Sequence, residues 1–230
     1  MTQVEQQTFL PPVVEQLGTS GIHLPRLLVD KTTLTERGYH SAGIGIILLT
    51  RSADGEPLLM LGKHNATDRT SEGLWSWFGE TLKEDGVGKI ESTDHAVTRC
   101  FQEELGIPNI GDLSLCADGE RFVAEVDLTA HKVTTGNPIL YRIAAHIFWM
   151  NDSCAMPSVS SEEIGGVELF PLRDVMAGTV DVPLREFTSP VILDLHNRGY
   201  LEYPGSQRLG QVAFPDRLDY FSHEHADLIV

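Results

Sequence analysis

The segment "ESTDHAVTRCFQEELGI", Glu91 to Ile107, opens with residues that can cap a helix and closes on a glycine that can end one. The hydroxyl of Ser92 or Thr93 can accept a hydrogen bond from an otherwise orphaned backbone N–H of the first turn. Val97, Phe101 and Leu105 recur at i, i+4 and i+8, and Gly106 permits the left-handed turn that terminates the helix. On a wheel of about 100° per residue these three apolar positions fill an arc of about 80°, the predicted core face. Glu103 and Glu104 stand about 100° apart, with Cys100 projecting between them one turn earlier and Arg99 at the edge of the patch. Two carboxylates this close raise one another's pKa unless a cation lies between them. A hard divalent ion with oxygen ligands, Mg²⁺ or Mn²⁺, suits such a pair. A solvated acidic helix end accounts for the same spacing without an ion, although the macrodipole disfavours glutamates at a helix C-terminus.

Outward from this helix the chain alternates strand and turn signals. Upstream, "SAGIGIILLT", the turn "RSADGE" and "PLLMLGKH" predict a hairpin with Asp54-Gly55 at its tip. A loop, "NATDRTSEG", then leads into a short aromatic strand, "LWSWFGE", and a Gly-rich charged connection, "TLKEDGVGKI". Downstream, "RFVAEVDL" and "YRIAAHIFWM" read as strands, and "GGVELFPLRDVM" as a strand running into a helical turn. "SPVILDLHNRGY" predicts a helix capped at Ser189, with Pro190 at its first position and Gly199 past its end.

The chain has 230 residues and a net charge of -16, which disfavours attraction to nucleic-acid polymers or anionic membranes. Its longest apolar run, "AGIGIILL", is far short of the roughly 18 residues of a membrane span and predicts a buried strand. Cys100, Cys116 and Cys154 lie far apart with no CxxC spacing, so the sequence indicates neither a zinc site nor a disulfide framework. The N-terminal "MTQVEQQTFLPPVVEQ" lacks the pattern of a secretory signal, so the expected location is the cytoplasm. The expected organisation is an N-terminal arm over 1–40, packed on the core, a domain over 41–201 and a C-terminal extension over 202–230. The arm and the aromatic-rich extension make a homodimer a reasonable expectation.

The helix resembles the Nudix box, whose pattern is Gly, five residues, Glu, seven residues, then Arg-Glu-apolar-any-Glu-Glu-any-Gly-apolar. Glu91 is followed by "STDHAVT" and then by Arg99, Cys100, Phe101, Gln102, Glu103, Glu104, Leu105, Gly106 and Ile107, which fit at every position except Cys100. "LWSWFGE" stands where the family has an apolar strand ending in Gly-Gly. "SSEEIGGVELFPLRDV" and "SPVILDLH" resemble the family's late loop and closing helix, so the resemblance covers roughly Ser41 to Leu201. It implies an α/β fold, a Nudix-type α/β/α sandwich with a mixed central sheet. Two departures stand out: eleven residues rather than about five separate Gly79 from Glu91, and Cys100 replaces a glutamate that ligates metal in the family. A neutral thiol is no ligand for Mg²⁺, and a thiolate is a soft one. Glu80, where a second glycine is common, is with Glu84 and Asp85 a less favoured candidate for a replacement base than the late-loop carboxylates.

The resemblance implies hydrolysis of a diphosphate linkage in a nucleoside diphosphate derivative or related small molecule, dependent on Mg²⁺ or Mn²⁺. Carried over residue by residue, Glu103 and Glu104 are metal ligands, supported by Glu91 and the Gly79 carbonyl, with Arg99 orienting a glutamate. Glu162 and Glu163 in the late loop are candidates for the general base. Lys63 and Arg69 are candidate phosphate contacts, and Trp77 a candidate for stacking on a base, although aromatic strand residues usually belong to a core. An isomerase of the family uses a cysteine before the glycine that ends the aromatic strand, but Phe78 occupies that position here. The missing glutamate at Cys100 keeps a second expectation open, a catalytically degenerate Nudix-fold nucleotide-binding or regulatory module.

Overall fold

A computed structural model describes residues 39, 41–65, 72–84, 90–107, 122–131, 138–150, 159, 161–203 and 218–219. Eight strands form one sheet: β1 (Ser41–Arg51), β2 (Pro57–His64), β3 (Trp75–Ser76), β4 (Phe78–Thr81), β5 (Phe122–His131), β6 (Pro138–Trp149), β7 (Ile164–Pro171) and β8 (Leu218–Asp219). The order runs β3-β2-β1-β6-β5-β8, with β4 also paired to β1 and β7 to β2. The sheet is mixed: β1 pairs antiparallel with β2 and β4 but parallel with β6. Three helices are described, α1 (Thr93–Leu105), α2 (Leu172–Ala177) and α3 (Thr188–Asn197).

The uninterrupted apolar run of β1 follows from burial on both faces. Ile44, Ile46 and Leu48 point into a core covered by α1, whereas Ile47 and Leu49 point into the opposite core beneath α2 and α3. β2 alternates likewise, Met60 on the α1 side and Leu59 and Leu61 on the other. The result is the α/β/α sandwich that the sequence suggests.

The hairpin turns where expected, with Gly55 at φ 86° and its N–H donating to the Ser52 carbonyl at 2.9 Å. The single aromatic strand expected at "LWSWFGE" is instead two short strands that change partner at Trp77, β3 pairing with β2 and β4 with β1. The indole of Trp77 fills the space at this change of partner. A Cβ on Gly45 or on Gly79, which face each other across the β1–β4 ladder, would lie 2.8 or 2.7 Å from Cζ3 of that indole. Both glycines therefore make room for the ring.

Helix α1 is capped by the Ser92 hydroxyl, which accepts from the His95 N–H, and closed by Gly106 at φ 65°. Helix α3 begins at Thr188, so Ser189 and Pro190 fall inside its first turn and Ser189 is not the cap. Gly199, at φ 77°, follows its end. None of the described helices is long and apolar enough to cross a membrane.

Candidate active site

Helix α1 buries more of its circumference than Val97, Phe101 and Leu105 alone. Ala96 and Cys100 are also fully buried, and Glu104 is only 3% exposed. The helical wheel groups Cys100, Glu103 and Glu104 in one patch, and the structure separates them. β4 packs against α1 and covers the side carrying Cys100 and Glu104. Glu103 points outward, its side chain 47% exposed.

Arg99 is the hub of the outer group. Its Nη1 donates to Glu80 Oε2 at 2.6 Å and to Glu103 Oε2 at 3.4 Å, and its Nη2 to Glu91 Oε1 at 2.6 Å and to the Thr81 carbonyl at 3.1 Å. The planar fork of a guanidinium lets one side chain tie strand β4 to helix α1 in this way. Glu91 also accepts from the Lys83 backbone N–H at 2.8 Å and lies 3.1 Å from His95 Nδ1. Burial alone would raise the Glu91 carboxyl, but the bonds from Arg99 and Lys83 hold it below its ordinary range. The lengthened connection does not displace Glu91. Glu84 bridges Ile90, and the Glu91 N–H donates to the Lys83 carbonyl at 2.9 Å, so the chain returns beside its point of departure.

The inner group touches that hub only through Glu80. One oxygen each from Glu80, Glu104 and Glu163 lies within 4.8 Å of the others. Glu104 is held by the Gly79 backbone N–H and the Cys100 thiol, yet its Oε2 is buried with no hydrogen-bond partner. Burial first, and then the charges of Glu80 and Glu163, push the Glu104 carboxyl well above its usual range. Burial likewise raises Glu80 despite Arg99. Cys100 is driven well up by burial and by Glu104 and Glu80, so its thiol stays protonated.

Glu163 reaches this group from the loop before β7, which Asn65 fastens. The Asn65 N–H donates to the Glu163 carbonyl at 2.7 Å, and Asn65 Nδ2 donates to the Glu162 carbonyl at 3.1 Å. Ser161 Oγ accepts from the Ile164 N–H at 2.7 Å. Asn65 escaped sequence reading because nothing in a strand-end asparagine reveals a partner about a hundred residues away.

The structure thus brings Glu104 and Glu163 together, sets Glu91 and Glu103 around Arg99, and places Gly79 at the inner group through its N–H. Trp77, expected to stack on a base, is 6% exposed and packs against Phe187 with ring centroids 5.2 Å apart; its ring is core. Lys63 is exposed on β2 opposite Gly166, and Arg69 lies outside the described residues. Glu80, a less favoured candidate in the sequence, stands in the inner group itself. Strand alternation could have placed it there, because Phe78 and Glu80 share a face and Phe78 is core beneath α1.

Neither a family model nor a curated protein matches the chain. Among solved structures it is similar to the Nudix domain of Shewanella oneidensis NrtR complexed with ADP ribose, with 13% identity, 74% of this chain and 99% of that one covered, and a TM-score of 0.45. It is also similar to a Nudix hydrolase from Alicyclobacillus acidocaldarius (12% identity, 67% and 90% covered, TM-score 0.46). A third is the Nudix hydrolase RenU from M. smegmatis (12% identity, 72% and 90% covered, TM-score 0.46). At such distances similarity says nothing of activity, which has to be argued from the side chains.

Proposed function

We propose that this protein is a divalent-metal-dependent hydrolase of the Nudix type, acting on a diphosphate linkage in a nucleoside diphosphate derivative or related small molecule. The observation that carries the proposal is Glu104, a buried carboxylate that has one unpartnered oxygen and is grouped with two further carboxylates. Left to itself such a group is costly, and a cation offsets the cost. The donor set fits Mg²⁺ or Mn²⁺, since every available atom is a carboxylate oxygen and the neighbouring thiol is protonated.

Glu104 and Glu163 are the side chains placed to hold the ion, with the Gly79 carbonyl as the backbone ligand that the resemblance implies. Glu91 and Glu103, the other glutamates of the box, act through Arg99. When bound, the metal neutralises phosphate oxygens and lowers the pKa of the attacking water. The late-loop carboxylates Glu162 and Glu163 are the candidates to accept the proton of that water, and Asn65 fixes their loop. The water oxygen bonds to phosphorus while the bridging P–O bond breaks, its electron pair leaving with the departing phosphate. Lys63 and Arg69 are proposed phosphate contacts.

Cys100 favours a second reading, a cleft that binds a nucleotide without turning it over, because its protonated thiol supplies no ligand. One experiment separates the two: release of phosphate or nucleotide across a panel of diphosphate compounds with Mg²⁺ and Mn²⁺, comparing wild type, Glu104→Gln and Cys100→Glu. Wild-type turnover that Glu104→Gln abolishes supports the hydrolase. A silent wild type beside an active Cys100→Glu supports the binding module.

A further inference from the structure

We infer that Glu80, carried by strand β4 and not by helix α1, is a side-chain ligand of the divalent cation. The inference rests on the metal-dependent hydrolysis just proposed and adds a ligand outside the helix. Strand alternation directs Glu80 to the face of β4 that packs on α1, where one of its carboxylate oxygens lies within 4.8 Å of oxygens of Glu104 and Glu163. The strand cannot slide to withdraw it. Ile44 faces Glu80 in the β1–β4 ladder, and Arg99 Nη1 holds Glu80 Oε2 at 2.6 Å.

Three carboxylates alone do not make a site, but Glu104 supplies an independent observation. It is more than nine-tenths buried and presents Oε2 with no partner. Among its described side chains, helix α1 offers no other that completes the set. Cys100 offers a thiol already bonded to Glu104, and Glu103 is turned outward to Arg99 and to Lys83, whose Nζ lies 4.0 Å from Glu103 Oε1. Glu80 therefore fills the corner that Cys100 leaves without an oxygen.

The test is Mn²⁺ binding by the full chain, followed by the loss of the free-ion electron paramagnetic resonance signal on titration, with no substrate present. Wild type, Glu80→Gln and Glu104→Gln are compared with Glu168→Gln, an exposed carboxylate on β7, as control. The expected result is a loss of at least about tenfold in affinity for both Glu80→Gln and Glu104→Gln, with Glu168→Gln unchanged. Wild-type affinity in Glu80→Gln alongside a loss in Glu104→Gln would overturn the role of Glu80 and leave the hydrolase proposal standing. Failure of wild type to bind Mn²⁺ would overturn both. If Glu80→Gln does not give a native circular dichroism spectrum, Glu80→Asp replaces it, and unchanged affinity in that shortened carboxylate would equally overturn the inference.

Discussion

The two acidic groups beside helix α1 share Glu80 and differ in how far a cation of the chain reaches into them. Around Arg99, the carboxylates of Glu91 and Glu103 meet a guanidinium fork, and Glu91 also meets a backbone N–H and a histidine. A few ångströms away Glu104 and Glu163 face Glu80, and the carboxylate buried deepest has an oxygen with no partner. The first group is a structural joint between β4 and α1. In the second, Arg99 reaches Glu80, and the buried Glu104 keeps an unpartnered oxygen that a bound cation would satisfy. If that contrast is correct, removing charge from one group destabilises the protein, and removing it from the other stabilises the metal-free protein.

The largest effect is expected from Arg99→Ala. Its side chain is 11% exposed and its loss leaves Glu80 and Glu91, 15% and 10% exposed, without their main partner. Breaking a buried pair costs about 3–5 kcal/mol, because the remaining charge is uncompensated. Urea denaturation in EDTA reads the loss directly, and a midpoint like that of wild type would mean that the joint carries no weight.

Next comes Gly79→Ala, which attacks the boundary between the groups. The new methyl would lie 2.7 Å from the Trp77 ring and 2.8 Å from the Ile44 carbonyl oxygen, so β4 has to move away from β1. Overpacking of this kind costs about 1–3 kcal/mol. The same shift displaces the N–H that holds Glu104 and the Glu80 that follows it, so Mn²⁺ affinity falls together with the urea midpoint.

Glu104→Gln should act in the opposite direction. In EDTA the variant is expected to be more stable than wild type by about 1–2 kcal/mol, since a neutral amide carries a far smaller burial cost than a carboxylate with an open oxygen. Saturating Mn²⁺ should cancel or reverse that advantage, because only wild type gains the binding energy. Thermal melts of both proteins with and without Mn²⁺ measure the crossing. Parallel shifts in the two proteins would remove Glu104 from the site.

The contrast also explains what the sequence could reveal. Helix α1, its caps and its three core residues were legible because spacing and capping are local, and the β1–β2 hairpin because the turn is local too. The box glutamates were visible as a set, but not their division of labour. That division depends on β4 lying against one side of the helix, which sends Cys100 and Glu104 inward and leaves Glu103 outside. The change of partner at Trp77 sits beside two glycines that face each other and open a slot for its indole, a pairing that no linear pattern shows. Glu80 was legible in principle. It lies two residues beyond Phe78, and a strand places both on one face.

The smallest predicted effect tests the joint by pH. In Glu91→Gln the amide oxygen can still accept from the Lys83 N–H and from Arg99, so what disappears is the charge assistance, a difference of about 1 kcal/mol. The folded protein holds the Glu91 carboxyl below its ordinary range, which means that the unfolded chain takes up its proton first as pH falls. The stabilisation is therefore complete well above the unfolded value of about 4.3 and is lost as pH drops through the lower folded value. Wild type in EDTA should exceed Glu91→Gln by about 1 kcal/mol at pH 7 in urea denaturation, and the two should converge near pH 3. A difference that persists undiminished at low pH would mean that Glu91 contributes by packing and not by charge, leaving Glu80 as the charged partner that anchors Arg99.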